Sequence, residues 1–394
     1  MGSGGRLATG GNSDDGGTAT TGGRPGAGGM SESGGGLGRG GVVATGGVSA
    51  SSGGMTNLTG GDAGIGTGGA GQDAGSAGAG GAMGSGGNTG TGGGQVATGG
   101  SSSAVFPARF VGNTDAWNVV PTDFASYWEQ ITPENVGKWA SIQASSEGNF
   151  NWSALDAVYK YAEDNNLIFK EHCFIWGAAQ PAWLGRLDTT TAPVVVKAWM
   201  KTFCDRYPKT RLIDVVNEPP PHTTPAYSEA MGGGTRTTWD WVANAFKWAR
   251  ESCPNAILIL NDYNNIEYDR EVENTIAIVN AIQKLDAPID AIGCQAHEGA
   301  RVPASTFRAN IDKLVDATGL PIYITGFDIG LADDGEQEQK YAEFFPMFWD
   351  HPAIKGVTLW GYIDGRTWRS NTGLIRTDGT PRAAMTWLMT FLGR

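Results

Sequence analysis

Short apolar runs alternate with longer amphipathic segments from about residue 105 to the end of the chain. The apolar positions 152, 155, 158, 159 and 162, for example, follow the three-four spacing of a helix. The predicted strands have the sequences ARFVGNTDAW, ENVGKWAS, LIFKEHCFIW, RLIDVVNE, AILILNDY, AIGCQAH, PIYITGFDI and GVTLWGYI. The predicted helices are WSALDAVYKYAEDNN, APVVVKAWMKTFCDRY, TTWDWVANAFKWARES, YDREVENTIAIVNAIQKLD, PASTFRANIDKLVDATG, EQEQKYAEFFPMFWDH and PRAAMTWLMTFLG.

Short buried strands that alternate with amphipathic helices are typical of an α/β fold with a parallel sheet. Eight strand-helix units fit a (β/α)8 TIM barrel better than an open sheet, which usually has fewer strands. No glycine-rich phosphate-binding loop follows the first strand, so a nucleotide-binding fold is disfavoured.

The first 104 residues have a different composition. Of the 62 glycines in the chain, 42 lie in the first 100 positions, and the first aromatic residue is Phe106. A segment of this kind buries too little apolar surface to offset the entropy lost on ordering. We therefore predict a disordered Gly/Ser/Thr-rich linker over 1–104 and a folded domain over 105–394.

The net charge of −12 disfavours nucleic acid as a partner, because binding to phosphate requires clustered Lys and Arg. No apolar run is long enough for a membrane span, and no signal-peptide pattern is visible. The four cysteines match no zinc motif. A disulfide between Cys204 and Cys253 is left open, whereas Cys173 and Cys294 are expected to lie too far apart to pair.

Catalytic groups of such barrels lie at the carboxyl ends of the strands. Those positions here carry tryptophans, amides, histidines and carboxylates, which suits a polysaccharide cleft. They contain no three-His or His-Cys set for zinc, and we expect neither a metal nor a cofactor. The alternative is that barrel ends simply collect polar residues. The residues at the predicted strand ends are Lys138, Trp139, His172, Trp176, Asn217, Glu218, Asn261, Asp262, Tyr263, Gln295, His297, Gly326, Asp328 and Trp360.

Several segments resemble the motifs of glycoside hydrolase family 10, the xylanases, in family order and at family spacing. DVVNEP (214–219) looks like the strand that carries the acid/base glutamate of retaining (β/α)8 glycosidases. The resemblance covers 105–394, and the glycine-rich region has no counterpart in it. It implies an endo-1,4-beta-xylanase scaffold that acts on xylan and xylo-oligosaccharides. The other matching segments are ENVGKW (134–139), HCFIWGAAQPAW (172–183), NDYN (261–264), QAH (295–297), PIYITGFDI (321–329) and LWGYIDGRTWR (359–369).

The resemblance also implies roles for individual residues. Glu218 would be the general acid/base, and Asn217 would hydrogen-bond the 2-hydroxyl of the sugar at the cleavage point. Three residues would hold the next sugar on the non-reducing side, namely Glu134, Asn135 and Lys138. The remaining implied substrate-binding residues are the inner polar partners His172, Gln180, Gln295 and His297, the third-strand tryptophans Trp176 and Trp183, the roof tryptophans Trp360 and Trp368, and Tyr263 on the leaving-group side. For Trp183, ordinary core packing is an equal alternative.

Two positions depart from the family pattern. Many members have His where this chain has Gly177. In strand seven the family reads Ile-Thr-Glu, with that glutamate as the nucleophile, whereas this chain reads Ile-Thr-Gly at Gly326. A retaining mechanism needs two carboxyl groups about 5–5.5 Å apart, and glycine supplies none. The other motif residues are present, which favours deliberate replacement of one glutamate over natural decay.

Hydrolysis is therefore expected to be severely impaired, with glycosynthase activity on an α-xylobiosyl fluoride in its place. A xylan-binding pseudoenzyme is the alternative, and a scaffold on a glycine-rich tether is a third. Asp328 is expected to have a supporting role only, and Glu298 is expected to point away from the site. The family and the linker imply a secreted or surface-tethered protein, and we expect a monomer.

Overall fold

The computed structural model describes residues 107–234 and 236–394. Eight parallel strands form a closed barrel in chain order, with the first strand paired to the last. The predicted (β/α)8 barrel is confirmed, while the predicted linker over 1–104 lies outside the described residues. The strands are β1 (Val111–Thr114), β2 (Gln130–Thr132), β3 (Ile168–Ile175), β4 (Leu212–Asn217), β5 (Ile257–Asp262), β6 (Ala291–Cys294), β7 (Ile322–Phe327) and β8 (Ile354–Leu359).

Helices surround the barrel and bury their apolar faces against it. The α6 helix ends at Gly319, whose φ of 71° is a left-handed conformation that glycine adopts readily. The α7 helix begins after Asp333, whose side chain accepts a hydrogen bond from the Glu336 amide at 2.9 Å. The helices are α1 (Trp139–Ile142), α2 (Ser153–Asp164), α3 (Thr191–Arg206), α4 (Asp240–Ser252), α5 (Asp269–Lys284), α6 (Ala304–Thr318), α7 (Asp334–Asp350) and α8 (Ala383–Leu392).

The prediction of a second strand over ENVGKWAS is wrong. The strand β2 lies earlier, at Gln130–Thr132, and Pro133 follows it with no amide N–H to continue the ladder. Lys138 therefore lies in a loop, and Trp139 begins the short helix α1. Trp139 is a core residue, since its ring stacks on that of Trp199 with centroids 5.3 Å apart. The first strand is also followed by a 3₁₀ turn (Phe124–Ser126) rather than by a full helix.

The amino-terminal end of the barrel is filled by an apolar layer. A Cβ on Gly356 would lie 2.3 Å from the ring of Phe110, so the absence of a side chain at this position of β8 leaves room for the ring. The layer separates solvent below from the polar residues above it, as the stacked layers of such barrels do. Its members are Phe110, Leu212, Ile259, Ala291 and Tyr323.

Above the apolar layer, a polar contact crosses one strand of the barrel. Thr325 on β7 donates its hydroxyl to Oδ1 of Asn261 on β5 at 2.6 Å. The intervening strand β6 has Gly293 at this level, and a Cβ there would lie 2.3 Å from the same Oδ1. The contact between β5 and β7 therefore depends on a glycine in β6.

A disulfide joins Cys204 near the end of α3 to Cys253 just after α4, with the Cα atoms 5.5 Å apart. This pairing was left open by the sequence. Cys173 and Cys294 are buried free thiols, as expected. Within 107–234 and 236–394, no helix has the length and apolarity needed to cross a membrane.

We predict that Gly293→Ala lowers the free energy of unfolding by about 1–3 kcal/mol, because the new methyl group overlaps Asn261 Oδ1 and lies 2.9 Å from Ile259 Cγ2. Urea denaturation measures the change. Gly185→Ala is the matched control, since its Cβ would have an ordinary contact of 3.5 Å with Ala226. Equal stability of the two variants would contradict the prediction.

Candidate active site

A cleft of about 480 Å³ opens at the carboxyl ends of the strands. Its lining combines carboxylates, amides and histidines with indole and phenol rings, a composition suited to hydroxyl-rich, ring-shaped ligands. Among the described residues, no group of three or more His, Cys, Asp or Glu side chains is arranged to hold a metal ion. The lining residues are Glu134, Lys138, His172, Trp176, Glu218, Asn261, Tyr263, Asn264, Gln295, His297, Glu298, Trp360, Trp368 and Arg369.

Glu218 lies directly after β4 and has a left-handed backbone, with a φ of 50°. This conformation is strained for a residue other than glycine, and such strain is concentrated at functional sites. Both carboxylate oxygens accept hydrogen bonds, Oε2 from Trp176 Nε1 at 3.0 Å and Oε1 from Gln295 Nε2 at 3.1 Å. The carboxyl group is therefore fixed in the cleft by two donors.

Asn217, the last residue of β4, is oriented by its neighbours. Its Oδ1 accepts from Asn261 Nδ2 at 2.8 Å and from Gln295 Nε2 at 3.3 Å. Its Nδ2 has no hydrogen-bond partner within the described chain. The amide therefore presents a donor of fixed orientation beside Glu218.

A buried charge cluster lies under the cleft. Asp214 Oδ2 accepts hydrogen bonds from Lys170 Nζ and from His172 Nδ1, the latter at 2.9 Å. Burial lowers the pKa of His172 to about 4, although Asp214 opposes the shift. Burial raises the pKa of Asp214, but Lys170 and His172 together outweigh it and hold this pKa below its ordinary value. His172 is therefore neutral near pH 7, and its Nδ1 carries the proton because the Asp214 carboxylate accepts it.

A second group of charges lies on the β1–β2 side of the cleft. Lys138 Nζ donates to Asn135 Oδ1 at 2.8 Å and lies 5.0 Å from the ring centroid of Trp176. Burial, followed by repulsion from Asp115, raises the pKa of Glu134 to about 7. Burial also raises the pKa of Asp115 to about 6 and lowers that of Lys138. This part of the cleft is poorly solvated, so a ligand hydroxyl there meets strong hydrogen-bonding groups.

Gly326 is the penultimate residue of β7. A Cβ at this position would lie 3.0 Å from His297 Cε1 and 3.1 Å from the Gln295 carbonyl oxygen. Both neighbours line the cleft, and Gln295 bonds Glu218. The His297 ring therefore lies against the space that a side chain at position 326 would occupy.

Asp328 directly follows β7, is buried and has two polar neighbours. Trp368 Nε1 donates to its Oδ2, and His297 Nδ1 lies 3.3 Å from the same oxygen. Trp368 is itself covered on one face, where the Arg369 guanidinium lies 4.1 Å from the ring centroid. A ligand in the cleft could therefore contact only the part of the Trp368 ring that Arg369 does not cover.

The opposite side of the cleft contains Tyr263, whose ring lies 4.0 Å from that of His222. His222 Nε2 is 3.6 Å from Asp262 Oδ1 and 3.5 Å from Glu271 Oε2. Burial, and beyond it repulsion from Glu218 and Glu271, raises the pKa of Asp262 well above its ordinary value. Sequence reasoning did not single out His222, because it lies in a proline-rich turn rather than at a strand end.

Most predicted site residues line the cleft, but five do not, namely Asn135, Gln180, Trp183, Asn217 and Gly326. Asn135 and Asn217 contact lining residues, as described above. Gln180 accepts from the Ala226 amide at 2.9 Å, and the Trp183 indole donates to the Gln143 carbonyl at 2.9 Å. Both side chains therefore support neighbouring loops. Gly177 packs against the backbone of Thr224, since a Cβ there would lie 2.9 Å from its carbonyl carbon.

Glu298 lines the cleft, although it was expected to point away. That expectation used the alternation of a strand, but β6 ends at Cys294 and Ala296 has a left-handed φ of 62°. Residue alternation fails beyond that point. Asn264 and Arg369 also line the cleft; both lie within the NDYN and LWGYIDGRTWR segments but were not singled out.

We predict that Glu134→Gln removes a pH-dependent part of the stability. A carboxyl pKa raised in the folded state from 4.5 to about 7 stabilises the fold fully below pH 4.5, and this contribution is lost as the pH rises to about 7. The wild-type minus variant difference in unfolding free energy should therefore fall by on the order of 2 kcal/mol between pH 4.5 and 7.5.

Urea denaturation at several pH values measures this difference. The titration of His172, which acts in the opposite direction, is present in both proteins and cancels. Glu147→Gln, at an exposed carboxyl, is the matched control. A difference for Glu134→Gln that does not change with pH would contradict the prediction.

Comparison with known proteins identifies the family. A sequence profile of glycosyl hydrolase family 10 matches residues 101–390. Endo-1,4-beta-xylanase B of Cellvibrio japonicus is 44% identical over 282 residues, which are 71% of this chain and 45% of that protein. Endo-1,4-beta-xylanase 3 of Hypocrea jecorina is 29% identical over 257 residues, 63% of this chain and 70% of the relative.

Solved structures share the fold. That of GH10 from Paenibacillus barcinonensis aligns with a TM-score of 0.65 and 23% identity, covering 73% of this chain and 95% of that one. Native xylanase 10B from Thermotoga maritima aligns with a TM-score of 0.62 and 24% identity, covering 72% and 94%. The chain thus spans less than half of its Cellvibrio relative, but the family profile matches the whole barrel. On this match, the chain belongs to glycosyl hydrolase family 10.

Proposed function

We propose that this chain binds xylan and xylo-oligosaccharides in the cleft, with the machinery of a retaining endo-1,4-beta-xylanase in which Gly326 replaces the nucleophile. The observation that carries the proposal is the arrangement around Glu218, a carboxyl group fixed by Trp176 and Gln295 beside the oriented amide of Asn217. The names of the xylanase relatives support the substrate class.

Glu218 is the general acid/base of this proposal. Its two partners, Trp176 Nε1 and Gln295 Nε2, are N–H donors and accept no proton. A proton on Glu218 is therefore transferred to the glycosidic oxygen of a bound ligand. The first step, departure of the leaving group, requires this transfer. Asn217 Nδ2, left without a partner among the described residues, donates to the 2-hydroxyl of the sugar at the cleavage point.

The next sugar on the non-reducing side is held by Glu134, Asn135 and Lys138. Lys138 is partly desolvated and is hydrogen-bonded to Asn135. A sugar hydroxyl beside the two residues therefore accepts a charge-assisted hydrogen bond from the Lys138 ammonium group. His172 presents an unprotonated Nε2 to the cleft as an acceptor, because Asp214 holds the proton on Nδ1. Trp360 and Tyr263 supply ring surfaces on either side of the cut.

The missing carboxylate has no replacement in this proposal. Asp328 is buried and bonded to Trp368. Glu298 is engaged by Arg301 at 3.0 Å and by Arg369 at 3.4 Å. Neither is a free carboxylate on β7, so no covalent glycosyl intermediate forms and hydrolysis is severely impaired.

We also propose that the protein acts outside the cell or at its surface, as a monomer, with the glycine-rich segment 1–104 as a spacer. A polymeric substrate outside the cell and the composition of the segment support this.

Gly326→Glu should raise the release of reducing sugar from xylan by at least about a thousandfold, because it restores a nucleophile opposite Glu218. His297 has to move by a few tenths of an ångström to admit the new Cβ. Gly326→Gln is the matched control, with the same shape and no nucleophile. Carboxymethylcellulose tests the preference for xylan.

Equal activities of the glutamate and glutamine variants would overturn the assignment of position 326. Adding Glu218→Gln to the glutamate variant should abolish the gain, since the acid/base is then absent.

The unchanged protein should lengthen xylo-oligosaccharides when it is given α-xylobiosyl fluoride and a xylose acceptor. The α-fluoride has the configuration of the glycosyl intermediate, and Glu218 removes the proton from the acceptor hydroxyl as fluoride leaves. Mass spectrometry of the products measures chain length. Glu218→Gln is the control and should form no products. Binding of xylo-oligosaccharides without product formation would favour the xylan-binding pseudoenzyme.

A further inference from the structure

One tryptophan at the rim of the barrel has no part in the core or in the cleft described above. Trp117 is 55% exposed and lies three residues beyond the end of β1. Only one other tryptophan of the described chain is comparably exposed, Trp368, and it lines the cleft. An indole this exposed leaves a large apolar ring face open to a ligand.

The backbone at Trp117 is strained. Its φ is 53° and that of Asn118 is 64°, so two successive residues other than glycine are left-handed. Asn tolerates this conformation, but for Trp it is strained. The turn is closed by a hydrogen bond from the Ala116 amide to the Val119 carbonyl at 3.1 Å. The chain therefore holds the indole outward at a cost in stability.

The turn is tied to the residues proposed to hold the second sugar. Asp115 Oδ1 accepts a hydrogen bond from the Glu134 amide at 2.8 Å, and the Asp115 amide donates to the Thr132 carbonyl at 3.2 Å. Trp117 is two residues from Asp115, a reach of at most about 7 Å along the chain. The indole is thus anchored beside the Glu134 end of the cleft.

The neighbouring strands place the turn at the cleft rim as well. The strand β1 pairs with β2 on one side and with β8 on the other. Glu134 follows the end of β2, Trp360 follows the end of β8, and both line the cleft. Trp117 thus follows the strand that lies between the two strands preceding these cleft residues.

We propose that Trp117 is a binding platform for the third sugar unit on the non-reducing side of the cleavage point. The ligand is a β-1,4-linked pyranose chain, which stacks one sugar face on the exposed indole. This inference rests on the proposed function, because it takes the direction of the chain from Glu134, Asn135 and Lys138. It extends the site by one sugar and makes Trp117 a determinant of preference for longer chains.

Isothermal titration of the unchanged Gly326 protein with xylobiose, xylotriose and xylotetraose tests the inference. Trp117→Ala should weaken the binding of the longer oligosaccharides by about tenfold, which is about 1.4 kcal/mol, and should leave xylobiose binding unchanged. Val119→Ala, at a 58% exposed position of the same turn, is the matched control and should change neither. Thermal unfolding checks that both variants fold.

The outcomes separate this inference from the proposed function. If the unchanged protein binds no xylo-oligosaccharide, both are overturned. If it binds all three and Trp117→Ala binds them equally well, the platform is wrong and the proposed function stands. If Trp117→Ala weakens all lengths equally, the residue acts on the Asp115–Glu134 contact and the platform is again wrong.

Discussion

The site depends on a chain of hydrogen bonds that crosses the top of the barrel. Thr325 on β7 bonds Asn261 on β5, and Asn261 bonds Asn217 on β4. The chain passes over β6 only because Gly293 has no side chain to block it. Since Glu218 and Gly326 directly follow Asn217 and Thr325, this chain sets the carboxyl ends of three strands relative to one another. Positions 218 and 326 are thereby held in one frame at the mouth of the barrel.

The electrostatics of the cleft follow from what lies beneath it. Lys170, Asp214 and a neutral His172 form a cluster in which the attraction between the two opposite charges offsets the desolvation penalty of burying them. On the β1–β2 side the opposite charges do not fully offset the effect of burial. The pKa values of Asp115 and Glu134 are therefore raised, and that of Lys138 is lowered. A charged group that burial has dehydrated in the free protein gains a strong hydrogen bond when a ligand hydroxyl takes the place of the lost water. The β1–β2 end of the cleft therefore differs from the region above Asp214 in the incomplete compensation of its buried charges.

The sequence predicted the barrel because seven of its strands are apolar runs between periodic helices. It misplaced β2, because a three-residue strand with two polar members has no alternation to detect and Trp139 suggested a strand where it anchors a helix. The positions of Asn217 and Glu218 at the end of β4 were predicted correctly, because that strand is regular. The orientation of Glu298 was misjudged, because it follows a left-handed Ala296, where strand alternation no longer applies. Pairing of Cys204 with Cys253 required the distance between α3 and α4, which spacing in the sequence does not contain.

Two glycines at the barrel mouth are present for different physical reasons. At Gly293 any side chain would collide with an amide oxygen that has to stay in place, so the fold itself requires glycine. At Gly326 the backbone is outside the left-handed region, and an added Cβ would lie 3.0 Å from the His297 ring, a side chain that can shift, and 3.1 Å from the Gln295 carbonyl oxygen, which belongs to the backbone. Glycine in the interior of a strand also weakens it. Local packing therefore restricts a side chain at 326 less than one at 293, where the overlap is at 2.3 Å. The hydrogen bonds that Gln295 makes to Glu218 and Asn217 involve no atom of residue 326, so the orientation of the Glu218 carboxyl group in the cleft does not depend on a side chain there.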